Sequence, residues 1–153
     1  MARQAQNQAV DFVEKIAKQL ELFAVQLHGN EDEDYINELH QRLAGTIQIW
    51  KAVSIDLNAD NVVIDDNSQI DRFVLDSKSG NQQGGTGKVF DWSLIPENIK
   101  AKSLLAGGIS PENIEQALQQ GCLGVDLNSG VESSKGVKDF TKLTACFEKI
   151  KKG

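Results

Sequence analysis

The sequence predicts an α/β fold with five parallel strands. Short apolar runs of strand length alternate with segments whose apolar residues recur at helical spacing. This alternation is typical of right-handed β-α-β units, which build parallel sheets. The five runs lie at residues 23–27, 47–53, 72–76, 103–108 and 123–130, the last of which ends in a loop.

The composition indicates one globular domain over residues 1–153. Of the 153 residues, 40% are hydrophobic and 25% are charged, as in soluble proteins with one core. The net charge of −6, without a basic stripe, argues against a nucleic acid partner. The apolar runs are far shorter than the roughly 20 residues that span a bilayer, which argues against a membrane partner. The amino end does not resemble a secretion signal, so we expect a cytoplasmic location.

Cysteine and histidine are too sparse for a metal site. The two cysteines, Cys122 and Cys146, are far apart and form no CxxC motif, and the histidines are His28 and His40. A zinc site needs a tighter cluster of ligands. We therefore interpret both cysteines as small buried hydrophobic residues in a reducing compartment, and we expect no metal.

The first predicted helix carries an apolar stripe from Val10 to Leu20. Asn30 is predicted to cap a second helix, since four acidic residues follow it where a helix dipole favours negative charge, and Gly45 ends that helix. Residues 56–71 are predicted as loop or as a short irregular helix.

The second half of the chain repeats this pattern. Residues 93–100 form at best a short helix. Ser110 and Pro111 are predicted to open a further helix, because serine caps helices and proline suits their first position, and Gly121 closes it. The final helix has an apolar stripe consisting of Phe140, Leu143, Phe147 and Ile150.

The longest glycine-rich segment, at residues 80–88, is not a nucleotide-binding loop. It reads GNQQGGTGK and contains neither GxxxxGK[ST] nor GxGxxG. Two interpretations stay open: a loop that uses glycine for its backbone conformations, or a lid over a phosphorylated substrate.

Polar and glycine residues follow the predicted strands at their carboxyl ends. They are His28-Gly29, Asp76-Ser77, Gly107-Gly108 and Asn128-Ser129-Gly130. Five strands suit a flavodoxin-like sandwich as well as a barrel, but in a (β/α) barrel this face is the catalytic one. The two loops after the last strands predict phosphate binding, since glycine leaves backbone N–H groups unhindered.

Two aspartates at strand ends are candidates for acid–base chemistry. Asp76 ends an apolar strand, where it either caps its own loop or acts as a general acid or base. Asp126 is in a similar position, with a loop-anchoring role as its alternative.

Six sequence blocks resemble the phosphoribosylanthranilate isomerases of tryptophan biosynthesis, and the likeness is strongest to the isomerase part of the bifunctional enzyme that also contains indole-glycerol-phosphate synthase. The blocks, in chain order, are VQLHGNED, IWKA, FVLDS, GGTGKVFDWSL, LLAGGISPENIEQAL and GVDLNSGVES.

The resemblance implies an eight-stranded (β/α) barrel that performs an Amadori rearrangement without a cofactor, and so a phosphorylated small-molecule substrate. It implies that Asp76 is the general acid that protonates the furanose ring oxygen and that Asp126 lies by the sugar hydroxyls. The backbone of Gly107, Gly108, Ser129 and Gly130 would hold the substrate phosphate. His28 is a possible neighbour of the site.

One family motif has no match here. The first strand of the family carries KxCG, whose cysteine is the general base, and the sequence contains no such motif. By its motifs the chain starts at the third helix, so we expect a partial barrel that comprises about the fourth to eighth βα units. We expect this chain alone to be inactive, and to form a homodimer or to assemble with an N-terminal barrel fragment. The alternative is a non-catalytic assembly module that retains a phosphate half-site.

Overall fold

The computed structural model describes residues 2–5, 8–78 and 88–152, with the side chains of residues 8–77 and 88–152. Apart from Lys88, the glycine-rich loop predicted at 80–88 lies outside the described residues. The strands are β1 (Ala2–Ala5), β2 (Ala24–Leu27), β3 (Gln48–Asp56), β4 (Arg72–Lys78), β5 (Ser103–Ala106), β6 (Gly124–Val125), β7 (Glu132–Ser134) and β8 (Val137–Lys138). The α-helices are α1 (Val10–Gln19), α2 (Glu33–Leu43), α3 (Glu97–Lys100), α4 (Ile114–Leu118) and α5 (Phe140–Lys152), and 3₁₀ turns cover Trp92–Leu94 and Ser129–Val131.

Strands β1 to β6 form one sheet in which each strand is a neighbour of the next one along the chain. The pairs β1–β2, β2–β3 and β5–β6 are parallel. A flavodoxin-like sandwich has the order 2-1-3-4-5, with a reversal in the sheet, and is therefore excluded. Sequential order without reversal is the order of strands in a (β/α) barrel.

All five predicted strands are present, and β1 is an additional one. Its four residues pair in register with all of β2, from Ala2 opposite Ala24 to Ala5 opposite Leu27. The first described element is thus a strand before α1, so the expectation that the chain starts at the third helix is wrong. The segment ARQA has little of the apolar character of a strand, and here pairing to β2 decides the conformation over local preference.

The chain divides into two compact units, Met1–Val53 with Asp65–Phe73, and Ser54–Ile64 with Val74–Gly153. The single domain expected from composition stays a prediction. In the first unit, α1 and α2 are joined on the outside by Arg42, which contacts Asp11, Glu14 and Glu38. Its core contains fully buried aliphatic side chains, among them Ala17, Leu27, Leu39, Leu43 and Ile49.

The core of the second unit is built from all its major elements. Leu75 of β4, Leu105 of β5 and Ile114 of α4 are fully buried. Phe90, Ile99, Ile109, Val131 and Cys146 complete this core. Burying each of the large side chains contributes about 1.5–3 kcal/mol to folding.

The predictions for three helices are corrected. Two of these helices begin at a different residue, and the third has a partly different buried face. Asp32, not Asn30, caps α2, because its carboxylate accepts the Tyr35 N–H at 2.9 Å. The α4 helix begins at Ile114 rather than at Ser110, since the Asn113 side chain binds the Ser110 N–H and Asn113 leaves helical geometry. In α5, Cys146 is buried and Leu143 and Ile150 are half-buried, whereas Phe140 is 82% exposed and Phe147 is 53% exposed, so only half of the predicted stripe lies on the packed face.

The predicted strand at 123–130 is much shorter than expected, and an antiparallel hairpin follows it. After β6 the chain makes the 3₁₀ turn, and β7 then pairs with β8. Gly136, at φ +80°, forms the turn of the hairpin. This hairpin lies directly between the loop after β6 and helix α5.

Candidate functional site

Most predicted site residues lie where strands of the second unit end. Asp76 lies near the end of β4, Gly107 and Gly108 directly follow β5, and Asp126 directly follows β6. Ser129 and Gly130 form the 3₁₀ turn that comes next. Since β5 and β6 are parallel, their carboxyl ends lie at the same edge of the sheet.

Gly107 lies against the Asp76 carboxylate. A Cβ at Gly107 would overlap Asp76 Oδ1 and would lie 2.7 Å from the Ser77 backbone nitrogen. Gly107 also has φ +70°, a conformation that favours glycine. The backbone of Gly107, in the loop after β5, therefore packs directly against the Asp76 carboxylate near the end of β4. Any larger residue at position 107 would prevent this contact.

Gly108 and Gly130 permit two further close approaches between backbone segments. A Cβ at Gly108 would lie 2.7 Å from the Lys88 carbonyl oxygen, and a Cβ at Gly130 would overlap the Ile109 carbonyl oxygen. The loop 107–109 thus contacts the carboxyl end of β4, the backbone of Lys88 and the turn after β6. The structure brings the three predicted loops together within this unit.

Two side chains hold these loops: Asn113, which sequence reasoning missed, and Ser77, which it placed at the end of its strand without a role. Asn113 donates from Nδ2 to the Gly108 carbonyl oxygen at 2.9 Å and accepts the Ser110 N–H through Oδ1 at 2.9 Å. Ser77 Oγ accepts the Phe90 N–H at 3.2 Å. Asn113 belongs to the SPEN segment, in which only the serine and proline had suggested a structural role.

Asp126 and Ser129 are differently placed. The Asp126 N–H donates to the Leu105 carbonyl oxygen at 2.7 Å, which fixes its backbone beside β5, while its side chain is exposed. Ser129 is half-buried in the turn. An exposed carboxylate at this edge of the sheet is free to meet hydroxyl groups of a ligand.

His28 directly follows β2 and is half-buried in the first unit, with Gly29 next to it. Beside it is a buried charge cluster that was not predicted. Lys51 Nζ lies 2.6 Å from Glu31 Oε2 and donates to the Gly29 carbonyl oxygen at 2.7 Å. The same Glu31 oxygen accepts the Gly29 N–H at 3.0 Å. Glu31 and Lys51 thus bind both backbone polar groups of Gly29, the residue after His28.

The cysteines are not placed for catalysis. Cys122 precedes β6, at the amino end of that strand, and Cys146 is buried in α5. Burial raises the pKa of both thiols, which favours the unreactive protonated form. Within residues 8–77 and 88–152, no three His, Cys, Asp or Glu side chains lie together as metal ligands. No helix among the described residues has the length and apolar character needed to cross a membrane.

This arrangement can bind an anion and move a proton. Glycine-rich turns expose backbone N–H groups, which bind phosphate without a side chain. The Asp76 carboxyl group lies against one of those turns and can exchange a proton with a ligand atom held there. Glycine-rich turns and a carboxylate therefore lie side by side at this edge of the sheet.

Sequence comparison identifies a family. The pattern of the family described as N-(5'phosphoribosyl)anthranilate (PRA) isomerase matches residues 4–149. The chain is 60% identical over 146 residues to the tryptophan biosynthesis protein TrpCF of Haemophilus influenzae, covering 95% of this chain and 31% of that protein. It is 50% identical over 146 residues to TrpCF of Vibrio parahaemolyticus, covering 95% and 29%. The chain therefore spans less than a third of the length of these curated relatives.

Comparison with solved structures shows a similarity to the same family. Phosphoribosyl anthranilate isomerase from Thermotoga maritima superimposes with a TM-score of 0.76 at 28% identity, covering 99% of this chain and 73% of that one. A structure of such an isomerase in complex with reduced 1-(o-carboxyphenylamino)-1-deoxyribulose 5-phosphate has a TM-score of 0.71 at 25% identity, covering 99% and 71%. A further structure, of monomers generated from the dimeric Thermotoga enzyme, has a TM-score of 0.69 at 26% identity, covering 98% and 71%.

Proposed function

The chain belongs to the N-(5'-phosphoribosyl)anthranilate isomerase family, and from this we propose that it is the part of such an isomerase that holds the substrate phosphate and supplies the general acid. The reaction is the Amadori rearrangement of N-(5'-phosphoribosyl)anthranilate to the 1-deoxyribulose 5-phosphate aminoketose. The proposal extends to the whole enzyme, of which this chain matches a part.

The observation that carries this proposal is the contact between Gly107 and the Asp76 carboxylate. The Asp76 carboxylate lies directly against a glycine loop, and both are at the ends of neighbouring strands of one sheet. This contact supports an acid and a phosphate loop that act on the same ligand.

In this proposal Asp76 gives its proton to the furanose ring oxygen. The bond from C1 to that oxygen breaks, and the anthranilate nitrogen becomes an iminium. A base then removes the C2 proton to give a neutral enolamine, which takes up a proton at C1 and releases the proton of its C2 hydroxyl to give the ketone. Neither cysteine of this sequence lies in the KxCG motif, so we assign the base to a residue outside this chain.

A supporting role is proposed for Asp126, whose exposed side chain accepts hydrogen bonds from the sugar hydroxyls. His28 lies in the first unit, in a loop fixed by Glu31 and Lys51, and its neighbourhood to the site stays a prediction from the resemblance. No cofactor is needed, since the substrate itself supplies the electron sink as its iminium.

Inorganic phosphate provides a test that needs only this chain. We expect the backbone amide signals of Gly108, Ser129 and Gly130 to shift saturably in a ¹⁵N–¹H NMR titration, because backbone donors bind the dianion. Chloride at matched ionic strength is the control. Saturable shifts confined to loops other than these would contradict the phosphate assignment.

We also propose that the isolated chain forms a homodimer. Among the described residues, strand β6 ends the sheet order and one of its edges has no partner strand, and Leu123 just before it is 49% exposed. A two-fold contact can cover the same surface on both copies at once. An N-terminal barrel fragment would compete for the same free edge.

Sedimentation velocity tests the homodimer. We expect the chain to sediment as a dimer at NMR concentrations, and we expect Leu123→Lys to shift it toward monomer because a charge would be buried at the contact. Glu148→Lys, an exposed change on α5, serves as a control. A compact monomer for the unmodified chain at the same concentration would rule out the homodimer.

The two free cysteines support a cytoplasmic location for this chain. Unpaired thiols persist in reducing compartments, where disulfides are rare. Cys122 and Cys146 are both free thiols, of which Cys122 is half-buried and Cys146 is buried.

A further inference from the structure

The ammonium group of Lys138 binds the loop that is proposed to hold phosphate. It donates to the backbone oxygen of Asn128 at 2.9 Å and to Asn128 Oδ1 at 2.9 Å. It also lies 2.9 Å from Glu132 Oε1. We propose that Lys138 is a positioning residue that fixes the Asn128-Ser129-Gly130 loop in its phosphate-binding conformation, an inference that rests on the proposed function of this loop.

The contact is made at the residue where the turn begins. The Asn128 carbonyl oxygen that accepts from Lys138 also accepts the Val131 N–H at 3.2 Å, which closes the 3₁₀ turn containing Ser129 and Gly130. The Asn128 side chain does not cap the turn and instead points to the same ammonium group. Lys138 thus holds both polar oxygens of the first residue of the loop.

The two ends of the loop are held differently. At the far end, the Val131 side chain is fully buried and its carbonyl oxygen accepts the Asp139 N–H at 2.8 Å, while Gly130 lies against the Ile109 carbonyl oxygen. At the near end, the ammonium group of Lys138 binds both oxygens of Asn128. Lys138 therefore fixes the end of the loop at which the backbone donors of residues 129 and 130 begin.

Lys138 is itself held by the hairpin. Glu132 binds it through Oε1 and accepts the Gly136 N–H through Oε2 at 3.0 Å, and Lys142 Nζ donates to the Glu132 backbone oxygen at 2.8 Å. The hydrogen bond from Lys138 lowers the pKa of Glu132, with a further contribution from the Gly136 N–H, and keeps its carboxylate ionised. These contacts within the hairpin orient the Lys138 ammonium group toward Asn128.

The test measures the affinity of the chain for inorganic phosphate by NMR titration. We expect Lys138→Met to weaken phosphate binding by roughly tenfold, because the loop must be ordered upon binding. Lys138→Arg retains a cationic donor and should recover most of the affinity. Lys135→Met removes an exposed positive charge from the same hairpin and should change the affinity by less than about twofold, since exposed charges are screened.

Two results separate the failure of this inference from the failure of the proposed function. If the unmodified chain shows no saturable shifts at Gly108, Ser129 and Gly130, the phosphate site is wrong and the inference falls with it. If the unmodified chain binds there and Lys138→Met binds equally well, only the positioning role is overturned.

Glu132→Gln provides a second variant if Lys138→Met does not fold. It keeps the lysine but removes the charge that orients it, so we expect weaker phosphate binding at an unchanged urea midpoint. Unchanged affinity in folded Glu132→Gln together with unchanged affinity in Lys135→Met would overturn the inference. A merely structural role would lower the unfolding midpoint and leave the affinity of the folded protein as it was.

Discussion

We expect Asp76→Asn to lower kcat of the assembled isomerase by about 10²–10⁴-fold, the range usual for loss of a positioned general acid. Asparagine matches aspartate in shape, so it can occupy the same position over Gly107. It has no proton to give to the ring oxygen at neutral pH. The substitution therefore separates proton transfer from packing.

The assay uses this chain together with a second polypeptide that carries the KxCG strand. KM should change little, since the proposal assigns phosphate binding to the loops after β5 and β6 and not to Asp76. Asp60→Asn, an exposed aspartate between β3 and β4, makes the same chemical change away from the site and should leave kcat unaltered. A kcat for Asp76→Asn within about tenfold of the unmodified assembly would contradict the role of Asp76 as the acid.

The second large effect concerns stability. We expect Lys51→Met to lower the free energy of unfolding by about 3–5 kcal/mol, the cost of leaving a buried charge without its partner. The Glu31 side chain is only 1% exposed and Lys51 is 15% exposed, so water cannot replace the lysine. The Gly29 carbonyl oxygen loses its donor in the same substitution.

Urea unfolding at neutral pH measures this effect. Lys18→Met is the matched control, because Lys18 pairs with Glu14 on the surface of α1 with its side chain 52% exposed, and its loss should leave the midpoint unchanged. The double variant Lys51→Met/Glu31→Leu should regain much of the loss, since no uncompensated charge remains. A midpoint for Lys51→Met equal to that of the control variant would show that the pair does not stabilise the fold.

The positions of the strands and of the glycine loops that follow them could be predicted from sequence for one physical reason. A buried strand needs a short apolar run, and a close approach of two backbones at its end needs glycine. Leu105 and Gly107 are examples, the first fully buried and the second packed against Asp76. These local requirements placed Asp76 and Gly108 correctly at the ends of their strands, whereas Gly130 lies in a turn five residues beyond the end of β6.

The features that sequence reasoning missed depend on contacts between distant residues. Lys51 meets Glu31 across two elements, and Lys138 meets Asn128 through a hairpin of polar residues. Neither pair has a local pattern, since an exposed lysine and a buried one look alike in sequence. Strand β1 was missed because its register with β2, rather than its composition, makes it a strand.

The choice of helix faces was a different kind of error. Phe140 and Phe147 fit a helical stripe, yet Cys146 between them is the fully buried residue of α5. The smaller side chain packs against the unit, and the two large ones lie on the exposed side. The spacing of the apolar residues therefore predicted where the helix lies, but not which of its residues is most deeply buried.

The most direct measurement of the central claim is the rate at which N-(5'-phosphoribosyl)anthranilate is converted by this chain in complex with a polypeptide that supplies the KxCG strand. The account predicts no turnover by either polypeptide alone and clear turnover once they form a complex, as verified by sedimentation. A folded complex without turnover would contradict the assignment of the acid and the phosphate site to this chain. Turnover by this chain alone, within about tenfold of the complex, would contradict the assignment of the base to a residue outside it.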